Sequence, residues 1–187
     1  MRQPPSDVSP APPRRPDPLT EIAAAPHRHD FFQALRQIEA WHADKPRLGT
    51  ARRPVDEPVR LGQAADLAFA SASIASVDLA DRSGRPRLEV LFFGLFGPNG
   101  PLPLHLTAYA RERALHKGDH TLHRFADLFH HRLLLLFYRA WAQAQPTVNL
   151  DRPGEDRFAD YVGSLVGVGR RPCPAPPARR GAGPATA

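Results

Sequence analysis

Hydrophobic residues recur at helical spacing in several parts of the chain and alternate with polar residues in another. The first periodic run, Phe31 to Trp41, has apolar residues three and four positions apart, which predicts an amphipathic helix capped by Asp30. Two alternating runs, 75–79 and 88–92, flank the turn-forming segment 81–86 and predict a β-hairpin. Residues 59–63 predict a further short strand.

The second half of the sequence has only helical patterning. It predicts a helix over 103–116 with Gly118 as its stop, and a long helix from Asp119 or Thr121 to about Gln145. A last amphipathic segment covers about 153–166. The long helix carries one apolar stripe and a second apolar set. It is therefore expected either to be buried at the centre of the fold or to bind a partner protein. The stripe is Leu122, Phe125, Ala126, Phe129, Leu133, Leu136, Phe137, Ala140 and Ala144, and the second set is Leu134, Leu135, Tyr138 and Trp141.

Residues 94–103, the connector between the last predicted strand and these helices, hold three glycines and three prolines around Leu95 and Phe96. Such a backbone is bent and has few N–H groups, and its apolar side chains indicate a packed loop. The whole pattern predicts an α+β fold: an N-terminal amphipathic helix, a small antiparallel sheet or hairpin, and a helical half with one long central helix. Residues 1–26 are expected to be a disordered Pro/Arg-rich tail, 27–169 the folded part, and 170–187 a low-complexity Arg/Pro/Ala tail.

The charge distribution argues against a nucleic-acid partner. The chain has 187 residues and a net charge of +6, with an isoelectric point near 10.4. Four of those charges are arginines of the last tail, and residues 1–26 are neutral, so little excess is left for a phosphate-tracking surface. The single cysteine, Cys173, excludes an internal disulfide. With no apolar leader and no run near 20 apolar residues, a cytoplasmic protein without direct membrane insertion is expected.

Candidate chemistry is weak by comparison. Among nine histidines, His116, His120 and His123 form the best cluster, but Gly118 and Asp119 interrupt it. His130 and His131 are placed on the polar side of the long helix, where Asp127 could pair with His131 at the surface. The connector glycines match no phosphate-binding spacing, and no nucleophile motif is present. No cofactor, metal or catalytic residue is therefore predicted. A metal- or nucleotide-dependent enzyme and a nucleic-acid-binding adaptor stay open as alternatives.

Several motifs, in order, resemble the TssG family of type VI secretion baseplate subunits, also called ImpH or VasB. The resemblance covers about residues 27–169. It is carried by Phe31-Phe32-Gln33-Ala34-Leu35-Arg36, Pro46-Arg47-Leu48-Gly49, Glu57-Pro58-Val59-Arg60, Phe92-Phe93-Gly94-Leu95-Phe96-Gly97-Pro98-Asn99-Gly100-Pro101-Leu102-Pro103, Phe129-His130-His131-Arg132, Phe137-Tyr138-Arg139-Ala140-Trp141 and Asp156-Arg157-Phe158.

This resemblance implies a non-catalytic structural subunit of the baseplate wedge, assembled at the cytoplasmic face of the inner membrane. The implied partners are two copies of TssF, TssE, TssK trimers and the VgrG hub. The resemblance offers structural or interface candidates only: Gly94, Phe96, Gly97, Pro98, Asn99, Gly100, Pro101, Phe129, Phe137, Tyr138 and Trp141. Members of the family usually continue well past this length. A C-terminally truncated form with impaired TssK docking is therefore expected, with a frameshift as the hypothesis for its Arg/Pro/Ala tail.

Overall fold

The computed structural model describes residues 16–81, 84–152 and 157–168, without the side chains of 157–160. The chain divides into two compact units, Met1–Gln145 and Pro146–Ala187. Helices and a small sheet make up the described part, so the predicted α+β class is confirmed. The predicted boundaries at 26 and 169 stay predictions, and both the first 15 residues and the tail after 168 lie outside the description.

The sheet has three strands in the order β1-β3-β2, with β1 at Arg60–Gln63, β2 at Ile74–Asp78 and β3 at Arg87–Val90. Strands β2 and β3 pair antiparallel, which confirms the predicted hairpin. Strand β1 pairs parallel with β3, with Leu61 opposite Leu88, so the expectation of a wholly antiparallel sheet is wrong. Strand β3 inserts between its two predecessors, and alternation along a sequence does not reveal which neighbours a strand takes.

Two helices precede the sheet. Helix α2, Phe31–Trp41, begins as predicted, because the Asp30 carboxylate accepts the N–H groups of Phe32 and Gln33. Helix α1, Pro18–Ala24, falls inside the stretch expected to be disordered, and a short 3₁₀ helix follows it at Pro26–Arg28. Asp17 caps α1, and Leu19 and Ile22 are buried in the core. Two apolar residues three apart form a helical face too short to stand out from the proline-rich surroundings.

The long helices follow the connector as predicted. Helix α3 covers Leu104–Lys117 and ends at Gly118, whose φ of 61° gives the left-handed cap. Helix α4 covers Thr121–Gln143. In the second unit, α5 covers Pro146–Leu150 and α6 covers Arg157–Leu165. In the first unit, the main core lies between α1, α2, the sheet and α4, and a smaller cluster of Phe96, Ala110 and Ala126 joins the connector to α3 and α4.

Helix α4 turns a different face inward from the one that its hydrophobicity predicts. Most of the predicted stripe, including Phe125, Phe129 and Leu133, is exposed. The buried face combines Leu134, Leu135 and Tyr138 of the second set with polar residues, which are His123, Asp127, His130 and His131. Placing the histidines on a polar surface was therefore wrong. These side chains are buried because they hydrogen-bond to backbone groups of β1 and the connector, which a helical projection of α4 alone cannot show.

Candidate functional site

The connector is held on the protein by the side chain of Gln63, the last residue of β1. Its Oε1 accepts the N–H of Phe96 at 2.8 Å, and its Nε2 donates to the carbonyl oxygen of Phe96 at 2.7 Å. Gln63 is only 2% exposed. One carboxamide thus satisfies both backbone groups of a buried loop residue, as a neighbouring strand would do.

His130 of α4 binds Leu95, the connector residue that precedes Phe96. Its Nε2 accepts the N–H of Leu95 at 3.0 Å, and its Nδ1 lies 3.0 Å from the Asp127 Oδ1. Because Nε2 is an acceptor, the proton of the neutral ring is on Nδ1, which donates to the carboxylate. The same Oδ1 accepts the N–H of Gln63 at 3.1 Å. Helix α4, strand β1 and the connector are therefore joined by one continuous hydrogen-bond network.

The buried histidines of α4 are held in their neutral form. Burial, with a smaller contribution from the Arg87 charge, lowers the pKa of His130 to about 4. Burial and the charges of Arg60, Arg132 and Arg87 lower the pKa of His131 to about 4. The His131 Nδ1 accepts the N–H of Leu61 at 3.2 Å. Burial also lowers the pKa of His123, whose Nε2 bonds to the carbonyl oxygen of Gln63.

A buried ion pair accompanies this network. The Arg87 guanidinium pairs with the Asp127 carboxylate, and its Nε donates to the Glu89 Oε1 at 3.1 Å. The Arg87 and Asp127 side chains are 8% and 7% exposed. Since Arg87 begins β3 and Asp127 lies on α4, the pair links the central strand to the long helix, and removal of either partner would leave a buried charge.

Two glycines allow the backbone to approach the network this closely. Gly94 has a φ of 147°, and a Cβ there would lie 2.6 Å from the Gln63 Cδ and 3.0 Å from the His130 Cδ2. In β1, a Cβ on Gly62 would lie 2.6 Å from the Asp127 Oδ1. A side chain at either position would displace the groups that bind the connector.

A second loop is held by buried side chains of α2 and of the chain before β1, and it also contacts α4. The carboxylates of Glu39 and Glu57 accept the N–H groups of Leu48 and Gly49, each at 2.9 Å. Burial raises the pKa of Glu57. Arg139 of α4 donates to the carbonyl oxygen of Gly49 at 3.2 Å. Helix α4 therefore organises two loops from different parts of the chain.

Stacked aromatic rings join α2 and the segment before the connector to the C-terminal part of α4. The rings of Phe32 and Trp141 stack with centroids 4.9 Å apart. Phe137 contacts Phe32 at 5.3 Å and lies parallel to Phe93 at 5.2 Å. Such contacts fix the helix orientation beyond the effect of buried area alone.

On its outer side, α4 presents a row of large apolar side chains to solvent, which we name the α4 stripe. Its exposed fractions run from 39% for Phe137 to 66% for Leu128. Twelve helical steps from the first member to the last correspond to roughly 18 Å. The rings of Phe125 and Phe129 contact each other edge to face, with centroids 5.6 Å apart. The α4 stripe consists of Phe125, Leu128, Phe129, Leu133, Leu136 and Phe137, and Phe137 lies at its edge, where its ring also contacts Phe32 and Phe93.

The structure separates the predicted site residues into three groups. Gly94, Phe96 and Gly97 lie on the inner side of the connector, and the Gly97 N–H donates to the buried Thr107 hydroxyl at 3.1 Å. Pro98, Asn99 and Pro101 are exposed, with Gly100 partly buried. On α4, Tyr138 is fully buried and Trp141 is partly buried, whereas Phe129 and Phe137 are exposed in the α4 stripe.

Sequence reasoning missed the polar residues that hold the connector, above all Gln63, Asp127 and His130. A polar residue every three or four positions among apolar ones was the only available signal, and it equally fits a solvated face. Within the described ranges, no set of three His, Cys, Asp or Glu side chains is arranged to hold a metal ion. No described helix has the length and apolar character needed to cross a membrane.

Fold and site together define a small α+β protein whose polar interior holds loops in place and whose longest helix presents apolar residues outward. A family model described as type VI secretion, TssG, matches residues 25–180. The chain therefore belongs to the TssG family and is a type VI secretion baseplate component. Comparison with curated proteins and with solved structures found no match.

Proposed function

We propose that the protein is a non-catalytic scaffold subunit of the baseplate wedge, which docks TssF through the α4 stripe. Two copies of TssF, together with TssE, TssK trimers and the VgrG hub, are the proposed partners. Assembly would take place at the cytoplasmic face of the inner membrane. The observation that carries this proposal is the α4 stripe itself, because its six side chains stay 39% to 66% exposed, although Phe137 at its edge also contacts Phe32 and Phe93.

The composition of the stripe supports a protein partner. It holds three phenylalanines and three leucines within one helical face, with Arg132 between them. Contiguous apolar patches of this kind on soluble proteins mark interaction sites, and aromatic residues with an adjacent arginine are enriched in interface centres. The opposite face of α4 is fixed by the network around His130. The helix that presents the stripe is therefore held in place before binding, which lowers the cost of ordering it in a complex.

The use of the polar residues supports a scaffold role over the enzyme alternative. His130 engages a backbone N–H and a carboxylate, and His123 engages a backbone carbonyl. The Gln63 carboxamide is fully used by Phe96. These groups already satisfy backbone atoms of this chain, so they are not free to bind a substrate.

Co-purification with TssF tests the proposal. The variant Phe129→Ser, on the stripe, is expected to lose TssF, because truncating a hot-spot residue of an interface costs about 2 kcal/mol or more. The matched control is Phe69→Ser, since Phe69 is 82% exposed and lies outside the stripe. The control is expected to retain TssF. If both variants retain TssF as the unsubstituted protein does, the stripe is not the docking surface.

A further inference from the structure

A cleft of about 190 Å³ opens beside the α4 stripe, and we name it the arginine cleft. Three arginines from different elements meet there: Arg60 of β1, Arg87 of β3 and Arg124 of α4. Leu128 belongs both to the cleft wall and to the stripe, so the two features are contiguous. The remaining lining residues are Leu61, Asp81, Asp127 and His131.

A buried imidazole nitrogen in this cleft has no hydrogen-bond partner. His131 is only 6% exposed, and its Nε2 makes no hydrogen bond. Its Nδ1 accepts the N–H of Leu61, so the neutral ring has its proton on Nε2. A buried N–H donor without an acceptor costs about 1–3 kcal/mol, and this one belongs to a residue that lines the cleft.

The arginines add further donors. The Nη1 of Arg124 is buried and makes no hydrogen bond, although it forms an ion pair with the Asp81 Oδ2 at 3.9 Å. Among the described residues, no carboxylate pairs with the Arg60 guanidinium. Arg87 differs, because Asp127 and Glu89 already bind it. The cleft lining therefore holds three guanidinium groups against the two carboxylates of Asp81 and Asp127, and the Arg124 Nη1 and the His131 Nε2–H are donors there without a hydrogen bond.

We propose that the arginine cleft binds a carboxylate, presented by an acidic side chain of the protein that covers the α4 stripe. The carboxylate would accept hydrogen bonds from the Arg124 guanidinium, the Arg60 guanidinium and the His131 Nε2–H. Carboxylates are the natural acceptors for arginine, and such bonds are stronger than those between neutral groups. A partner lying along the stripe passes the mouth of the cleft at Leu128. The inference rests on the proposed function for its source of the carboxylate.

A peptide titration tests the cleft separately from the stripe. The full chain, labelled with ¹⁵N histidine, is titrated with acetyl-Gly-Gly-Glu-Gly-Gly-amide and with the same peptide carrying Gln in place of Glu. The His131 signals, assigned through His131→Gln, are expected to shift and saturate with the Glu peptide. The Gln peptide is expected to bind at least about tenfold more weakly, since it lacks the charge-assisted bonds.

Variants locate the binding. Arg124→Gln and Arg60→Gln are each expected to weaken the Glu peptide about tenfold, whereas Arg111→Gln, an exposed position on α3, leaves it unchanged. Equal shifts with both peptides, no effect of either cleft variant, or tighter binding of inorganic phosphate would overturn the proposal. Phe129→Ser separates the two hypotheses: it is expected to lose TssF and keep the peptide. Loss of TssF with no peptide binding in any variant would leave the stripe hypothesis standing and refute the cleft.

Discussion

The Nε2 of His130 accepts the backbone N–H of Leu95 at 3.0 Å, so a side chain of the longest helix holds the loop that follows the sheet. The same ring also links the connector to strand β1. Its other nitrogen bonds to Asp127, and the Asp127 carboxylate also accepts the N–H of Gln63. The packing of α4 and the path of the connector are thus one structural feature. The exposed stripe is the other side of that same helix.

Replacing His130 with alanine is expected to destabilise the protein by about 2–4 kcal/mol. The variant leaves a cavity and deprives the Leu95 N–H of its acceptor in a buried site. Denaturant unfolding measures the change. The control is His116→Ala, an exposed position near the end of α3, which is expected to change stability by less than about 0.5 kcal/mol. A loss below about 1 kcal/mol for His130→Ala would mean that the network does not hold the connector.

Gly94→Ala is expected to cost roughly 2–4 kcal/mol, because the backbone conformation is unfavourable and the new Cβ overlaps Gln63 and His130. Gly118→Ala separates the two causes. Gly118 also has a positive φ, 61°, but no atom lies within 4 Å of a Cβ there. It is expected to lose only about 1 kcal/mol. Equal losses in the two variants would show that crowding at Gly94 contributes nothing.

Stability is expected to fall as the pH drops from about 6.5 toward 4. The pKa values of His130 and His131 in the folded protein, about 4, lie below the ordinary value of 6.5. Between these two values the unfolded chain therefore binds more protons than the folded chain. Each such histidine contributes up to about 1.4 kcal/mol per pH unit within that window. Burial raises the pKa of Glu57 above 4.5, which offsets part of the loss at the acid end.

Urea unfolding between pH 7.5 and 4.5 measures this dependence. His130→Gln is expected to reduce the slope by about one proton, because one of the three buried histidines with a lowered pKa is gone. A control substitution at an exposed histidine, His116→Gln, leaves the slope unchanged. Stability that is flat across this range would contradict the neutral, buried state of these histidines.

Alanine substitutions at two neighbouring leucines of α4 are expected to destabilise the protein by very different amounts. Leu134 is fully buried, and Leu134→Ala should cost about 2–5 kcal/mol through lost burial and a cavity. Leu133 is 40% exposed and belongs to the stripe, so Leu133→Ala should cost less than about 1 kcal/mol. Thermal or denaturant unfolding of the two variants, side by side, checks which face of the helix is inside. Similar losses would place the boundary of the core elsewhere.

The sequence predicts the elements well where a local rule controls them. The Asp30 cap, the hairpin and the Gly118 stop each depend on a few adjacent residues, and each lies where it was predicted. The connector was also recognised as a packed loop, since its glycines and prolines are local signals.

Features that depend on contacts distant in sequence could not be predicted in the same way. The burial of His130 depends on Leu95, 35 residues earlier, and that of Asp127 on Gln63, 64 residues earlier. Hydrophobicity alone therefore favoured the wrong face of α4, because its more apolar face is the exposed one. The parallel pairing of β1 likewise depends on β3, which lies more than 20 residues further along the chain.

Site-specific photo-crosslinking tests the central claim most directly. A benzoylphenylalanine placed at Phe129 in the full chain, expressed with the other baseplate subunits, is expected to yield a covalent adduct with TssF on irradiation. The same group at Phe69, which is more exposed but outside the stripe, is expected to yield none. A baseplate complex that forms without any adduct from Phe129 would contradict the account.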